Sequence, residues 1–234
     1  MIASVHIADI GRKALGALAR GAPKPSSVAG LRSARLGFAA PLTTSTLPSP
    51  QVGRLGFVAM WDDDDALDRF LADHPLAAKL AGGWHVRLEP LRAHGSWPGL
   101  PSDVPKQRNV DHEGPAAVLT LGRARLTQLI RFLRTSAKAE AATVGAPGLV
   151  WTTGMARPPF FATCSLWETS EALSAYAYGQ GDLPHPAAIA VDRAKPFHHE
   201  SAFIRFRPYR SEGQLAGKNP LSAAWLSSVS GSQR

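Results

Sequence analysis

The chain has 234 residues, 44% of them hydrophobic and 19% charged, a globular balance that argues against wholesale disorder. Its net charge of +8 comes from scattered arginines and few lysines, without the dense basic runs, zinc-finger spacing or RNP-type motif of a nucleic-acid binder. The single cysteine, Cys164, excludes an intrachain disulfide framework and fits a reducing, cytoplasmic setting, and no apolar run approaches the roughly 20 residues that cross a bilayer.

Met1 to Ile10 lacks a basic region followed by an apolar core, so no signal peptide is expected there. Ala3–Asp9 alternates and reads as a strand. Gly11–Arg20 carries Leu15 and Leu18 at helical spacing and stops at Gly21 and Pro23. Leu31–Ala39 reads as a strand, Pro41–Gln51 as a Pro/Ser/Thr loop, and Arg54–Trp61 as a third strand. Asp62–Asp65 opens a helical pattern through Ala66, Leu67, Phe70 and Leu71. Four carboxylates in a row resemble a metal-ligand set, but acidic residues in a first turn cap free N–H groups and interact favourably with the helix dipole, which is the expected role. Trp84–Leu91 alternates as a fourth strand.

The second half predicts the same order. Pro115–Leu121 is a strand, and Ala124–Ala142 a helix with Leu126, Leu129, Ile130 and Leu133 on one face. Leu149–Thr153 and Phe160–Trp167 are strands joined by a turn with Gly154 and two prolines. Ser170–Tyr178 is a helix, Pro184–Arg193 a short second helix, and Ser201–Tyr209 the last strand. The Ser/Gly-rich end is expected to fray.

The halves also match residue by residue. Trp61, Ala66, Leu67 and Phe70 have the spacing of Trp167, Ala172, Leu173 and Tyr176. Each half then has a His-Pro pair, His74-Pro75 and His185-Pro186, the second displaced by five residues. Glu89-Pro90-Leu91-Arg92 answers Arg207-Pro208-Tyr209-Arg210. The expected fold is therefore α+β: tandem ferredoxin-like repeats, two β-α-β-β-α-β units whose antiparallel sheets pack as an α+β barrel within one chain. The expected division is a first repeat over 1–110, a second over 111–222 carrying the site, and a flexible tail over 223–234.

The last third carries a more specific pattern: Thr163, Ser165, Trp167, Pro184-His185, Ala188-Ile189, Arg193-Ala194, Glu200, Arg205-Phe206, Gly213, Gly217 and Pro220-Leu221. On these residues the chain resembles the spheroidene monooxygenase family, the acyclic carotenoid 2-ketolases, similar in build to dimeric α+β barrel proteins. The first half matches more loosely, around Ala59–Trp61 and Gly95-x-Trp97-x-Gly99. Asp182 stands where the family pattern has a second histidine, and Phe197-His198 where it has Trp-Phe. The resemblance implies a haem-containing oxygenase acting on a long apolar substrate.

Haem iron takes an axial ligand from His, Cys, Met or Tyr. The resemblance points to His185, which starts the second His-Pro helix within the five-residue insertion; helix capping is the alternative. Cys164 sits mid-strand without a motif and reads as a small core residue. Adjacent His198 and His199 cannot easily share one metal. Arg193 and Arg205 are candidates for haem propionates, with surface ion pairs to Glu200 as the alternative. Phe197 joins them in the expected cofactor-binding set. Trp151, Phe161, Thr163 and Trp167 are the expected lining of an apolar substrate pocket, with core packing as the alternative. There is no dinucleotide fingerprint, P-loop, Gly-x-Ser-x-Gly or His-Glu-x-x-His, so electrons would come from a separate reductase, a peroxide or the substrate. The expected partners are an apolar small molecule and an electron-donating reductase, with peripheral membrane contact and a homodimer as further options. The competing functions are a haem-free α+β barrel that binds an apolar ligand or works as a cofactor-independent monooxygenase, and a haem dehydratase acting on an N–O bond.

Overall fold

Alternating apolar residues give strands with one face for a core, but here some strands are buried on both faces. In the first strand every residue from Ile2 to Ala8 is buried, the pattern of a sheet covered on both sides. The computed structural model describes residues 1–42, 51–107, 110–178 and 196–221. The strands are β1 (Ile2–Asp9), β2 (Leu31–Ala40), β3 (Arg54–Trp61), β4 (Trp84–Gly95), β5 (Ala116–Ala124), β6 (Leu149–Arg157), β7 (Phe160–Trp167) and β8 (His198–Gly213). The helices are α1 (Lys13–Arg20), α2 (Asp64–Asp73), α3 (Pro75–Leu80), α4 (Leu129–Val144) and α5 (Ser170–Tyr178). All strand pairs are antiparallel, and the strands close into one α+β barrel in the order β1-β3-β2-β6-β7-β5-β8-β4.

Both halves fill the barrel interior. Val5, Ile7, Val58, Met60, Val86 and Leu88 meet Leu119, Leu121, Cys164, Leu166, Ile204 and Phe206 there. Each fully buried side chain of this size contributes about 1.5–3 kcal/mol. On the outside of the first half, Leu55, Phe57 and Trp61 pack beneath Leu67 and Phe70 of α2 and Leu76 and Leu80 of α3. Among the described residues no helix is long and apolar enough to cross a membrane.

The Trp-x4-Ala-Leu-x2-aromatic pattern has a packing explanation in both halves. The tryptophan ends a strand, with its indole N–H donating to Ser4 Oγ from Trp61 and to Ser165 Oγ from Trp167, both at 2.9 Å. The closing aromatic folds back onto it, with ring centroids 5.0 Å apart for Trp61–Phe70 and 4.9 Å for Trp167–Tyr176. The leucine, Leu67 or Leu173, is buried. The alanine must be small because a glycine backs onto it. Gly30 (φ 75°) faces Ala66 and Gly148 (φ 76°) faces Ala172, and a Cβ on either glycine would land on the alanine methyl. The same glycines accept a backbone hydrogen bond at the helix entrance, from Asp62 N–H to Gly30 and from Glu168 N–H to Gly148, both 2.8 Å.

The acidic run caps its helix as expected: Asp63 accepts from Ala66 N–H at 2.9 Å, and Asp62 pairs with Arg32 at 2.7 Å. Other expectations are corrected. Gly154 lies inside β6, opposite Ala40 and Thr163, so the turn before β7 is confined to the two prolines. Strands β4 and β8 outrun their expected ends because they pair with each other along most of their length, and Pro90 is accommodated at an irregularity in that ladder. Helix α4 starts only at Leu129, after a 3-10 turn over Leu126–Gln128. Its inward side passes through Phe132, Leu133 and Ala137, which leaves Leu126 (68%) and Ile130 (69%) exposed. The expected helix at Pro184–Arg193 and the tail from 223 lie outside the described residues.

Gly30→Ala and Gly148→Ala should each destabilise the fold by about 1–3 kcal/mol, because the new methyl meets both strain at positive φ and the alanine opposite. Thermal unfolding would show this as a fall of roughly 2–4 °C per kcal/mol. An unchanged midpoint in both variants would contradict the packing explanation.

Candidate functional site

The two halves share one register, so every position on the outer, helix-covered face of one sheet has a counterpart on the other. β1 pairs with β3 from Ile2↔Trp61 to Asp9↔Arg54, and β5 pairs with β7 from Ala116↔Trp167 to Arg123↔Phe160. Likewise Ala3↔Leu88 corresponds to Ala117↔Phe206. Ser4, His6, Leu55, Phe57 and Ala59 therefore match Val118, Thr120, Phe161, Thr163 and Ser165. The first set is buried throughout; the second is half-buried throughout. The largest change is Phe57 to Thr163, which removes a ring that in the first half stacks on Phe70 at 5.4 Å.

Polar groups close the first-half face. His6 Nε2 lies 3.0 Å from Ser4 Oγ, and its ring stacks on His85 at 4.9 Å. Arg87 donates to Asp64 at 2.6 Å and also to Asp68, while Tyr209 O–H donates to Asp64 at 2.8 Å. Arg210 pairs with Glu212. Burial pushes His6 well below its ordinary pKa, with His85 and Arg87 adding to the effect. Burial also lowers His85, against the opposing pull of Glu212. Burial alone would lower Arg87, but hydrogen bonds to Asp68 and Asp64 raise it, and the bond from Arg87 lowers Asp68.

The second-half face repeats the cations without the carboxylates. Arg205 corresponds to Arg87, and Arg92 corresponds to Arg210; Arg92 and Arg205 face each other across β4 and β8. Ser170 and Ser174 follow Trp167 at the intervals at which Asp64 and Asp68 follow Trp61. His94 stands where Glu212 does. Arg205 is 7% exposed and Ser170 5%. Burial lowers the Arg205 pKa, with Tyr178 opposing and Arg92 reinforcing the shift. Among the described residues no carboxylate pairs with Arg205. Ser170 Oγ is buried without a hydrogen-bond partner, and Arg92 donates to Tyr178 Oη at 2.6 Å.

Further along the same face lies an aromatic corner. Phe132 of α4 meets Phe161 at 5.1 Å, Phe197 at 6.0 Å and His198 at 5.0 Å between ring centroids. The His198 imidazole lies over Gly122, where a Cβ would come within 2.6 Å of the ring.

Of the residues singled out from sequence, Phe161, Thr163, Trp167 and Arg205 share this face, and Phe197 packs at its aromatic corner. Trp151 does not. It projects into the barrel, edge-on to Trp84 at 4.9 Å, because it pairs with inward-facing Leu166. His185 and Arg193 lie outside the described residues. Cys164 is fully buried in the interior, which pushes its thiol up to about 12 and leaves it a protonated core residue. His198 and His199 sit at an irregularity of the β5–β8 ladder, where His198 pairs with Ala124 and Glu200 with Arg123. His74 caps α3, its Nδ1 accepting from Leu76 N–H at 3.1 Å. Among the described residues no group of three His, Cys, Asp or Glu is placed to hold a metal ion. Sequence reasoning missed Arg92, Phe132, Ser170 and Gly122. Arg205 had a visible partner: Arg87-Leu88-Glu89-Pro90 against Arg205-Phe206-Arg207-Pro208. Two open surface grooves, along Ser102–Gln107 and around Ser27–Ala29 with His74, lie elsewhere, and neither is lined by a buried charge.

Two curated relatives match much of the chain. Spheroidene monooxygenase of Rubrivivax gelatinosus is 31% identical over 72% of this chain, and the alignment spans 66% of that protein, just under two thirds of its length. Spheroidene monooxygenase of Rhodobacter capsulatus is 27% identical over 76% of each chain. No model of a known protein family matches. Among solved structures, an aldoxime dehydratase covers 88% of this chain and 80% of its own at a TM-score of 0.51 and 10% identity, a likeness of fold.

The buried histidines give stability a pH dependence. His6, His74 and His85 all titrate below the ordinary value of 6.5 in the folded chain. Below about pH 6.5 the unfolded chain therefore binds more protons than the folded one, and stability falls with pH toward 5. Asp9 and Asp68 are shifted down, so their contribution is lost only further down, below about pH 4. For fully buried His6 the slope approaches about 1.4 kcal/mol per pH unit. Denaturant unfolding at pH 8 and 5.5 should show a smaller loss in His6→Gln than in the native chain; equal losses would remove His6 as the cause.

Proposed function

The chain belongs to the spheroidene monooxygenase family, and on that premise we propose that it is a haem-dependent monooxygenase oxidising an apolar small molecule. We place the site on the helix-covered face of the second half and read the halves as two copies of one ferredoxin-like unit, only the second adapted for a ligand. The observation that carries this reading is the exchange of a filled face for a half-open one in the same register, above all Phe57 for Thr163 and His6 for Thr120.

The residues present fit a haem. Phe132, Phe161 and Phe197 offer an apolar wall, and buried Arg205 is a cation suited to a carboxylate. Bound there, the group would supply an iron centre for oxygen chemistry. His185 is the ligand the family resemblance implies. The chain's own residues have simpler tasks. The aromatic corner excludes water from an apolar substrate, Thr163 and Ser165 leave room where a ring would fill it, and His198 sets an imidazole on the same face. Electrons would come from a separate reductase.

Reconstitution with haem should give a Soret band that His185→Ala abolishes and His198→Ala retains. A protein that stays colourless would rule out the haem reading, and loss of the band in His198→Ala alone would move the ligand to that histidine. Thr163→Phe, which restores the ring of the first half, should weaken haem binding about tenfold or more with little change in unfolding midpoint. Undiminished binding in that variant would place the site elsewhere.

A further inference from the structure

The second-half face carries a charge that the first half shows how to satisfy. Around Arg87 and Arg210 the chain supplies Asp64, Asp68 and Glu212. Around their counterparts Arg205 and Arg92 it supplies Ser170, Ser174 and His94. Two cations remain and three carboxylates are gone. Like charges directly opposite on neighbouring strands repel, and a buried cation without a counter-ion is expensive. Arg205 is as buried as a core residue, and Ser170 Oγ, at the place of Asp64, has no partner. Arg92 is oriented by Tyr178 Oη and by the carbonyl of Lys106 rather than by an acid.

We infer that the Arg92–Arg205 pair is the anchor for the carboxylate end of the ligand on this face. The ligand carboxylate takes the place that the Asp64 and Asp68 carboxylates occupy around Arg87, and Ser170 O–H donates a further hydrogen bond to it. The apolar body of the ligand then runs along the face toward Phe161, Phe132 and Phe197. This inference rests on the site proposed above and adds its polarity: an anionic end at the β4–β8 seam and an apolar end at the aromatic corner. Two ligands carry that chemistry, a haem through its propionates and a substrate with a carboxylate on a long apolar chain. A guanidinium matches either in a bidentate way.

The test uses four probes on the full chain: hemin, hemin dimethyl ester, oleate and methyl oleate. They are titrated into the native protein, Arg205→Met and the double variant Ser170→Asp/Ser174→Asp. Native protein should bind hemin about tenfold or more tighter than its diester. Arg205→Met should erase that difference by weakening hemin alone. The double variant rebuilds the carboxylates of the first half, so it should lose hemin affinity by a similar factor while its ligand-free unfolding midpoint rises. That rise guards against loss of binding through misfolding. Hemin and diester binding equally, with no effect of either variant, would overturn the anchor and leave the haem reading standing. If native protein binds neither porphyrin, the haem reading fails and the oleate pair decides: tighter binding of oleate than of methyl oleate, lost in Arg205→Met, sustains the anchor, and equal or absent binding overturns it.

Discussion

Barrel closure is the constraint on which the rest of the molecule depends. Each four-stranded half-sheet has an apolar inner face that only the other half covers. The closing seams are unequal. β2 and β6 meet over a short ladder, Phe38↔Ala156 to Ala40↔Gly154, and glycine sits where they crowd: a Cβ on Gly37 would lie 2.9 Å from the Ala156 backbone. β4 and β8 meet over a long ladder with Glu89 opposite Arg207, an ion pair between the halves. Aromatic rings meet in the interior so enclosed, Trp84 against Trp151 and Trp97 against Phe160. Side chains from both halves occupy the barrel interior, so the site proposed above lies outside it, between sheet and helices.

That outer layer is where the halves are free to diverge. The inner face of one half must fit the other, and its residues stay apolar: Val5 and Leu119, Val86 and Ile204, Leu88 and Phe206 are counterparts, and Trp84 answers Ala202. The outer face must fit only its own helices. In the first half α2 and α3 seal it with Leu67, Phe70, Leu76 and Leu80. In the second, of those anchoring positions on α2, Leu67 and Phe70 persist as Leu173 and Tyr176, while the sheet beneath is made of Thr120, Thr163 and Ser165. The scaffold residues of the Trp-x4-Ala-Leu pattern are kept because a glycine backbone, a buried indole and a stacked ring each leave one solution.

Legibility in the sequence followed the same division. Strand positions and the shared Trp-Ala-Leu packing were readable because inner-face alternation and the Trp-x4-Ala-Leu spacing are local signals. Helix α4 was misplaced because Leu126 and Ile130 match the helical period as well as Phe132 and Leu133 do, and only contact with Phe161 and His198 decides which side faces in. Trp151 was assigned to the pocket because an aromatic looks alike on either face of a strand, and its direction hangs on a register irregularity between Leu149 and Trp151. Phe161, Thr163, Trp167 and Arg205 stand out in the sequence as aromatic, family-pattern or guanidinium residues, and the structure sets them on one face. Arg92 and Ser170 were invisible because what marks them is the missing charge of a neighbour.

An arginine can stay buried for either of two reasons. Arg87 stays because Asp64 and Asp68, held at the start of α2, return by hydrogen bonding what its desolvation takes away, and its proton is bound more tightly than in water. Among the described residues no carboxylate gives Arg205 that compensation, and desolvation loosens its proton instead. A buried cation of this kind typically costs several kcal/mol, enough to consume much of a domain's stability. A methionine of similar volume would pack at less cost, so a solely structural role is a poor account of the residue. The cost becomes reasonable if an anion completes the site, for then ligand binding and stability are linked and the empty face is the less stable state. Among the described residues the first half carries its counter-charges in its own sequence and the second does not, and that difference is what the proposed anion site would answer.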